Sequence, residues 1–107
     1  MGYNTRYELK FEPLTIANKD CISHLVAENE EAAWVIDEDG NSEDYSKWYD
    51  HDIDMKAFSL KYPDTVFILS GSGEEDEDIW VKYFKNGKMQ EEYAEIVIAK
   101  YDENKLQ

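Results

Sequence analysis

The sequence predicts an α+β domain, an antiparallel sheet with two short helices on one face. Three observations carry this. Residues 3 to 11 alternate, with Tyr3, Thr5, Tyr7, Leu9 and Phe11 on one side and Asn4, Arg6, Glu8 and Lys10 on the other, the period of a half-buried strand. Asn86-Gly87 stands between two more alternating runs, and both positions of a tight hairpin turn need the positive φ that these residues tolerate. Between lie two segments with apolar residues at helical spacing, the second stopped by Pro63, which cannot continue a helix. A chain of 107 residues, 42% of them apolar, closes one core and is too short for two. Residues 1–107 therefore read as a single domain with a short polar tail from residue 101.

The first strand ends at Pro13. Asn18 then offers an N-cap, Asp20 lies in the first turn, and Ile22, Leu25 and Val26 recur at helical spacing, predicting a helix over about 18–30. Ala32 to Asp37 returns to strand character, Asp39-Gly40-Asn41 supplies turn residues, and Tyr45 to Tyr49 completes a hairpin. Asp50 or Asp52 caps a second helix bearing Ile53, Met55, Ala57, Phe58 and Leu60. Thr65 to Ser70 is a β-branched and aromatic run that predicts a buried strand.

Counting outward from Asn86-Gly87 pairs Phe84 with Met89, Lys82 with Glu91 and Trp80 with Tyr93, two apolar pairs flanking an ion pair. Ile96, Val97 and Ile98 extend the last strand into a more buried zone.

The resulting order, β-α-β-β-α-β-β-β, contains the split β-α-β pattern of ferredoxin-like domains with a terminal hairpin added. Lys47-Trp48-Tyr49, then Lys61 to Phe67, then Gly71 to Glu75, then Trp80 to Lys88 resemble the YubB-type ferredoxin-like family, small plasmid and phage proteins. The likeness covers about the second half of the chain. It implies a ferredoxin-like fold and a mobile-element origin, and brings no catalytic motif with it.

Charge narrows the function classes. Eleven Lys and Arg against 25 Asp and Glu leave a net −14, which argues against binding nucleic acid through its phosphates or docking on an anionic membrane. The acids are concentrated: residues 28–54 carry a net −10, Glu74 to Asp78 a further −5, and the remainder is nearly neutral. No apolar run approaches the roughly 20 residues of a membrane-spanning helix, and Met1 to Arg6 lack the apolar core of a signal peptide. A single cysteine, Cys21, excludes an internal disulfide and fits a cytoplasmic setting.

Motifs for chemistry are weak. His24 and His51 are the only imidazole bases, and neither sits beside a nucleophile in a known pattern. Cys21 and His24 share a helix face, but a structural zinc site wants four ligands; a buried thiol beside a partly exposed imidazole explains them. From Asp37 the spacing of a calcium loop begins well and fails, with glycine at position 4 rather than 6 and Trp48 where the closing Glu belongs. Gly71-Ser72-Gly73 leads into five acids, which would repel a phosphate; a turn between strands accounts for it. No catalytic residue, metal site or cofactor is expected, and the chain reads as a non-enzyme.

What remains is acidic surface with aromatics beside it. Alternate carboxylates on one strand face lie about 6.6 Å apart, comparable to phosphate spacing along a nucleic-acid strand. The expected partner-binding residues are Asp37, Glu38, Asp39, Glu43, Asp44, Tyr45, Tyr49, Asp50, Asp52 and Asp54, with Glu74, Glu75, Asp76, Glu77 and Asp78 as a second row. Trp48 is as well explained as core, and the charge as plain solubility.

The leading expectation is a small phage- or mobile-element-type inhibitor. It binds a basic nucleic-acid-handling host protein, of the CRISPR effector or restriction enzyme class, and occupies its nucleic-acid groove. The alternatives are a non-enzymatic adaptor using its sheet face or edge strand, a metal-dependent activity in the acidic loops, and RNA binding. For RNA the only basic spot, Lys82, Lys85 and Lys88, is too small.

Overall fold

The computed structural model describes residues 5–42, 46–73, 79–94 and 103–105. Strand β1 (Thr5–Glu12) is followed by helices α1 (Cys21–Glu28), α2 (Glu30–Val35) and α3 (His51–Ser59), then strands β2 (Val66–Gly73), β3 (Ile79–Lys85) and β4 (Lys88–Tyr93) and a 3₁₀ turn at Glu103–Lys105. The strands form one open sheet in the order β1-β2-β3-β4, every neighbouring pair antiparallel. The α+β class stands. No described helix is long and apolar enough to cross a membrane.

The ferredoxin-like arrangement differs from this sheet. A split β-α-β unit has two parallel strands flanking an inserted one, whereas here the strands follow chain order. The reason lies in residues 29–49. The segment expected as a strand, Ala32 to Asp37, contributes instead to α2: the Asn29 side chain accepts the Ala32 amide at 3.0 Å. Glu30 and Glu31 occupy the first turn, where carboxylates suit the helix dipole. Ala32 and Val35, three apart, become its buried stripe. Of the second expected strand, Tyr45 to Tyr49, the described part makes one isolated bridge, Ser46 to Thr5. The terminal hairpin is accordingly half of the sheet rather than an addition to a complete one.

The pairings expected around Asn86-Gly87 are present: Phe84 faces Met89, Lys82 faces Glu91 and Trp80 faces Tyr93. Both turn residues have positive φ, 49° and 80°. Asn18 does not cap α1. Its side chain accepts the Thr15 amide and donates to Pro13 O and Thr65 Oγ1, tying the loop before α1 to the start of β2. Ile96 to Ile98 and most of the polar tail lie outside the described residues.

Inward-facing side chains form rows across the sheet. Phe11, Phe67, Phe84 and Met89 make one; Leu9, Leu69, Lys82 and Glu91 the next; Tyr7, Gly71, Trp80 and Tyr93 the third. Cys21, Ile22, Leu25, Val35, Met55 and Phe58 cover them from the helices. In the third row Gly71 is required by space, because a Cβ there would sit 2.1 Å from the Trp80 ring.

Candidate functional site

Residues 37–42 and Ser46 lie along the outer edge of β1. Gly40 O accepts the Leu9 amide at 2.7 Å, and Ser46 exchanges both backbone hydrogen bonds with Thr5. Ser42 Oγ accepts the Tyr7 amide and donates to Val35 O, so the end of α2 is fastened to the same edge. Within this stretch Asp37 Oδ1 accepts the amides of Asp39 and Asn41 at 2.9 and 3.0 Å. The first carboxylate of the apparent calcium loop thus closes an Asx turn. Among the described residues no three His, Cys, Asp or Glu side chains cluster as a metal site.

Thr5 joins the two acidic segments. Its Cα partners are Ser46 on one side and Gly73 on the other. Gly73 is the last described residue before Glu74, and Ile79, the first after Asp78, pairs with Ser72. Strands lie about 4.8 Å apart, so the chain enters the five-acid run about two spacings from Ser46 and leaves it about three away, roughly 10–15 Å. Residues 46–54 are drawn to the same end from the helical side, because His51 stacks on Trp80 with ring centroids 5.1 Å apart and planes 10° apart.

Behind this end is a buried polar cluster. Lys82 Nζ contacts Asp52 Oδ1 at 2.8 Å, His51 Nε2 at 2.7 Å and Glu91 Oε2 at 3.5 Å, and lies 4.7 Å from the centroid of the Trp80 ring. The Lys82–Glu91 pair expected from the hairpin register is present, but Asp52 is the nearer carboxylate. His51 Nδ1 is 2.8 Å from Trp48 O; a carbonyl only accepts, which assigns the imidazole proton to Nδ1 and leaves Nε2 to accept from Lys82. Tyr7 packs edge-on to Trp48, His51 and Trp80. Burial raises its hydroxyl pKa; the Trp48 amide, Thr5 and Lys82 oppose the rise, and the Glu31 charge adds to it.

The expected partner-binding residues divide accordingly. Glu38, Asp39, Tyr49 and Asp50 are exposed, Tyr49 at 75%. Asp37 is also exposed, its Oδ1 accepting two amides of its own loop, while Asp52 is paired with Lys82 and Asp54 accepts the Trp48 indole N–H at 2.8 Å. Glu43, Asp44, Tyr45 and Glu74 to Asp78 lie outside the described residues. Trp48 is 1% exposed and belongs to the core. Cys21 is buried, and burial pushes its thiol up to about 11. His24 bonds the Tyr62 hydroxyl and pairs with Glu28.

Sequence reasoning missed two exposed apolar side chains. Ile53, one turn beyond Tyr49, is 69% exposed, and Trp34 on α2 is 81% exposed. Asn29 followed by Glu30-Glu31 is a legible N-cap with acids in the first turn; reading it would have turned the 32–36 run into a helix with Trp34 on its outer side. Comparison of the chain with protein-family models, curated proteins and solved structures finds no match, so the YubB-type resemblance gains no support from them.

Proposed function

We propose that this protein binds a basic nucleic-acid-handling protein through the acidic end of its sheet and blocks the groove that holds nucleic acid. The supporting observation is that Thr5 pairs with both Ser46 and Gly73, bringing the anchors of a −10 and a −5 segment to one end of the molecule. Charge so gathered steers association with a basic surface. Exposed Tyr49 and Ile53 beside it supply apolar area, of the kind that carries most affinity in interfaces. The mobile-element setting and the CRISPR effector or restriction enzyme class of target belong to this proposal.

The test is affinity capture from a bacterial lysate, washed at about 0.1 M and about 0.5 M salt, with a variant carrying Glu74→Lys, Glu75→Lys, Asp76→Lys and Asp78→Lys in parallel. A basic nucleic-acid enzyme held at low salt, weakened at high salt and lost by the folded variant agrees with the reading, because screening weakens exposed charge pairs. Capture unchanged by the four reversals refutes it. The outward face of the sheet favours a second reading, an adaptor. It exposes Ile79 and Tyr83 and carries none of the three α-helices, and a partner held there would be indifferent to salt.

A further inference from the structure

We infer that Trp34 is the anchor of this acidic end and that it takes an arginine or lysine side chain of the basic partner; the inference rests on the function proposed above. Trp34 is the one exposed tryptophan of three, Trp48 and Trp80 being 1% and 7% exposed. The buried side of α2 is already filled by Ala32 and Val35, so the indole has no place in the core.

Its surroundings select the ligand. Glu30, exposed, precedes it by four residues, which places it on the neighbouring turn of the same helix side, about 5–6 Å away between Cβ atoms, whereas Glu31 turns one carboxylate oxygen inward. Helical side chains lean toward that preceding turn. Glu38 and Asp39, both exposed, follow within five residues. An indole face draws a cation to within about 6 Å of its centroid, and the carboxylates beside it add charge-assisted hydrogen-bond acceptors. A guanidinium satisfies both at once, stacking flat on the ring while its edge donates. An anionic ligand would be repelled there, and a purely apolar one would desolvate the carboxylates without pairing them.

Helix α2, which carries Trp34, is tied to β1, the strand that bears Thr5. Val35 O is held by Ser42 Oγ, which in turn holds the Tyr7 amide, and the Glu31 charge acts on the Tyr7 hydroxyl. Tyr7 contacts Trp48, the neighbour of exposed Tyr49.

The experiment titrates a nine-arginine peptide into the whole protein at about 0.15 M salt. It compares wild type, Trp34→Phe, Trp34→Leu and the fourfold lysine variant, with circular dichroism confirming each fold. The expected result is that the peptide shields the acrylamide-quenchable tryptophan emission of wild type. Trp34→Leu should bind about 2- to 5-fold more weakly, and Trp34→Phe should lose less. Leucine equal to wild type overturns the inference and leaves the charge reading standing. Leucine and phenylalanine equally weakened makes the contact merely apolar and overturns it too. A fourfold variant that binds as tightly as wild type overturns the charge reading, and with it this inference.

Discussion

Asp52→Ala and Lys82→Met should differ in stability by more than the loss of one shared contact can explain. The Lys82 side chain is 7% exposed, whereas Asp52 is 40% and Glu91 36% exposed. Truncating one partner of a fully buried ion pair costs about 3–5 kcal/mol, because the other charge is stranded. Here Lys82 would keep His51 Nε2 at 2.7 Å and Glu91 at 3.5 Å, and Asp52 already meets water. The expected cost of Asp52→Ala is therefore about half that, roughly 1.5–2.5 kcal/mol. Lys82→Met removes the buried cation itself, and its thioether chain fills similar volume between the second and third rows. Both carboxylates can then turn to solvent, and only His51 Nε2 loses a donor, for about 1 kcal/mol. Urea denaturation of wild type, both single variants and the double variant gives the four free energies. The double variant should match Lys82→Met within about 0.5 kcal/mol, since without the cation Asp52 has nothing to compensate. A Lys82→Met protein less stable than Asp52→Ala by more than about 1 kcal/mol, or strict additivity, would refute the assignment of Asp52 as the counter-charge that makes Lys82 tolerable inside.

Two further outcomes follow from the same packing. Cys21 has its thiol pKa raised by burial from 9.0 to about 11, so the native state keeps a proton that the unfolded chain releases first. Its contribution, at most about 2–3 kcal/mol, is present below pH 9 and lost between about pH 9 and 11. Urea midpoints over that range should fall more steeply for wild type than for Cys21→Ala, and equal slopes would contradict the burial argument. Gly71→Ala would push a Cβ into the Trp80 ring and displace its stack on His51. Overpacking of this kind costs about 1–3 kcal/mol, and an unchanged thermal midpoint would show that Trp80 does not lie over Gly71.

The parts legible in the sequence are those set by neighbours along the chain. Asn86-Gly87 dictates its turn through backbone sterics, and the period-two pattern on either side then forces Phe84 against Met89 and Trp80 against Tyr93. The strand over 3–11 and the helix ended by Pro63 were equally visible, within the usual play of a few residues at their ends. Ala32 to Ile36 was misread as a strand, although Asn29 and the two acids after it signal a helix start. Five consecutive apolar residues satisfy a strand and a helix alike, and here the decision was made by the Asn29 cap and by which side chains found the core.

For the candidate site, composition alone identified two concentrations of charge and left their relation open. Asp52 and Asp54 looked as available as Glu38 or Asp50, because nothing local reveals that Lys82 and the Trp48 indole engage them. Charge balance, turn chemistry and strand period are properties of residues near one another in sequence, and the chain by itself determined those. The gathering of the 46–54 segment and the anchors of the five-acid run around Thr5, the burial of Trp48 and the exposure of Trp34 depend on residues tens of positions apart. Only the tertiary structure decided them, because antiparallel register and competition for a finite core are settled between elements, not within them.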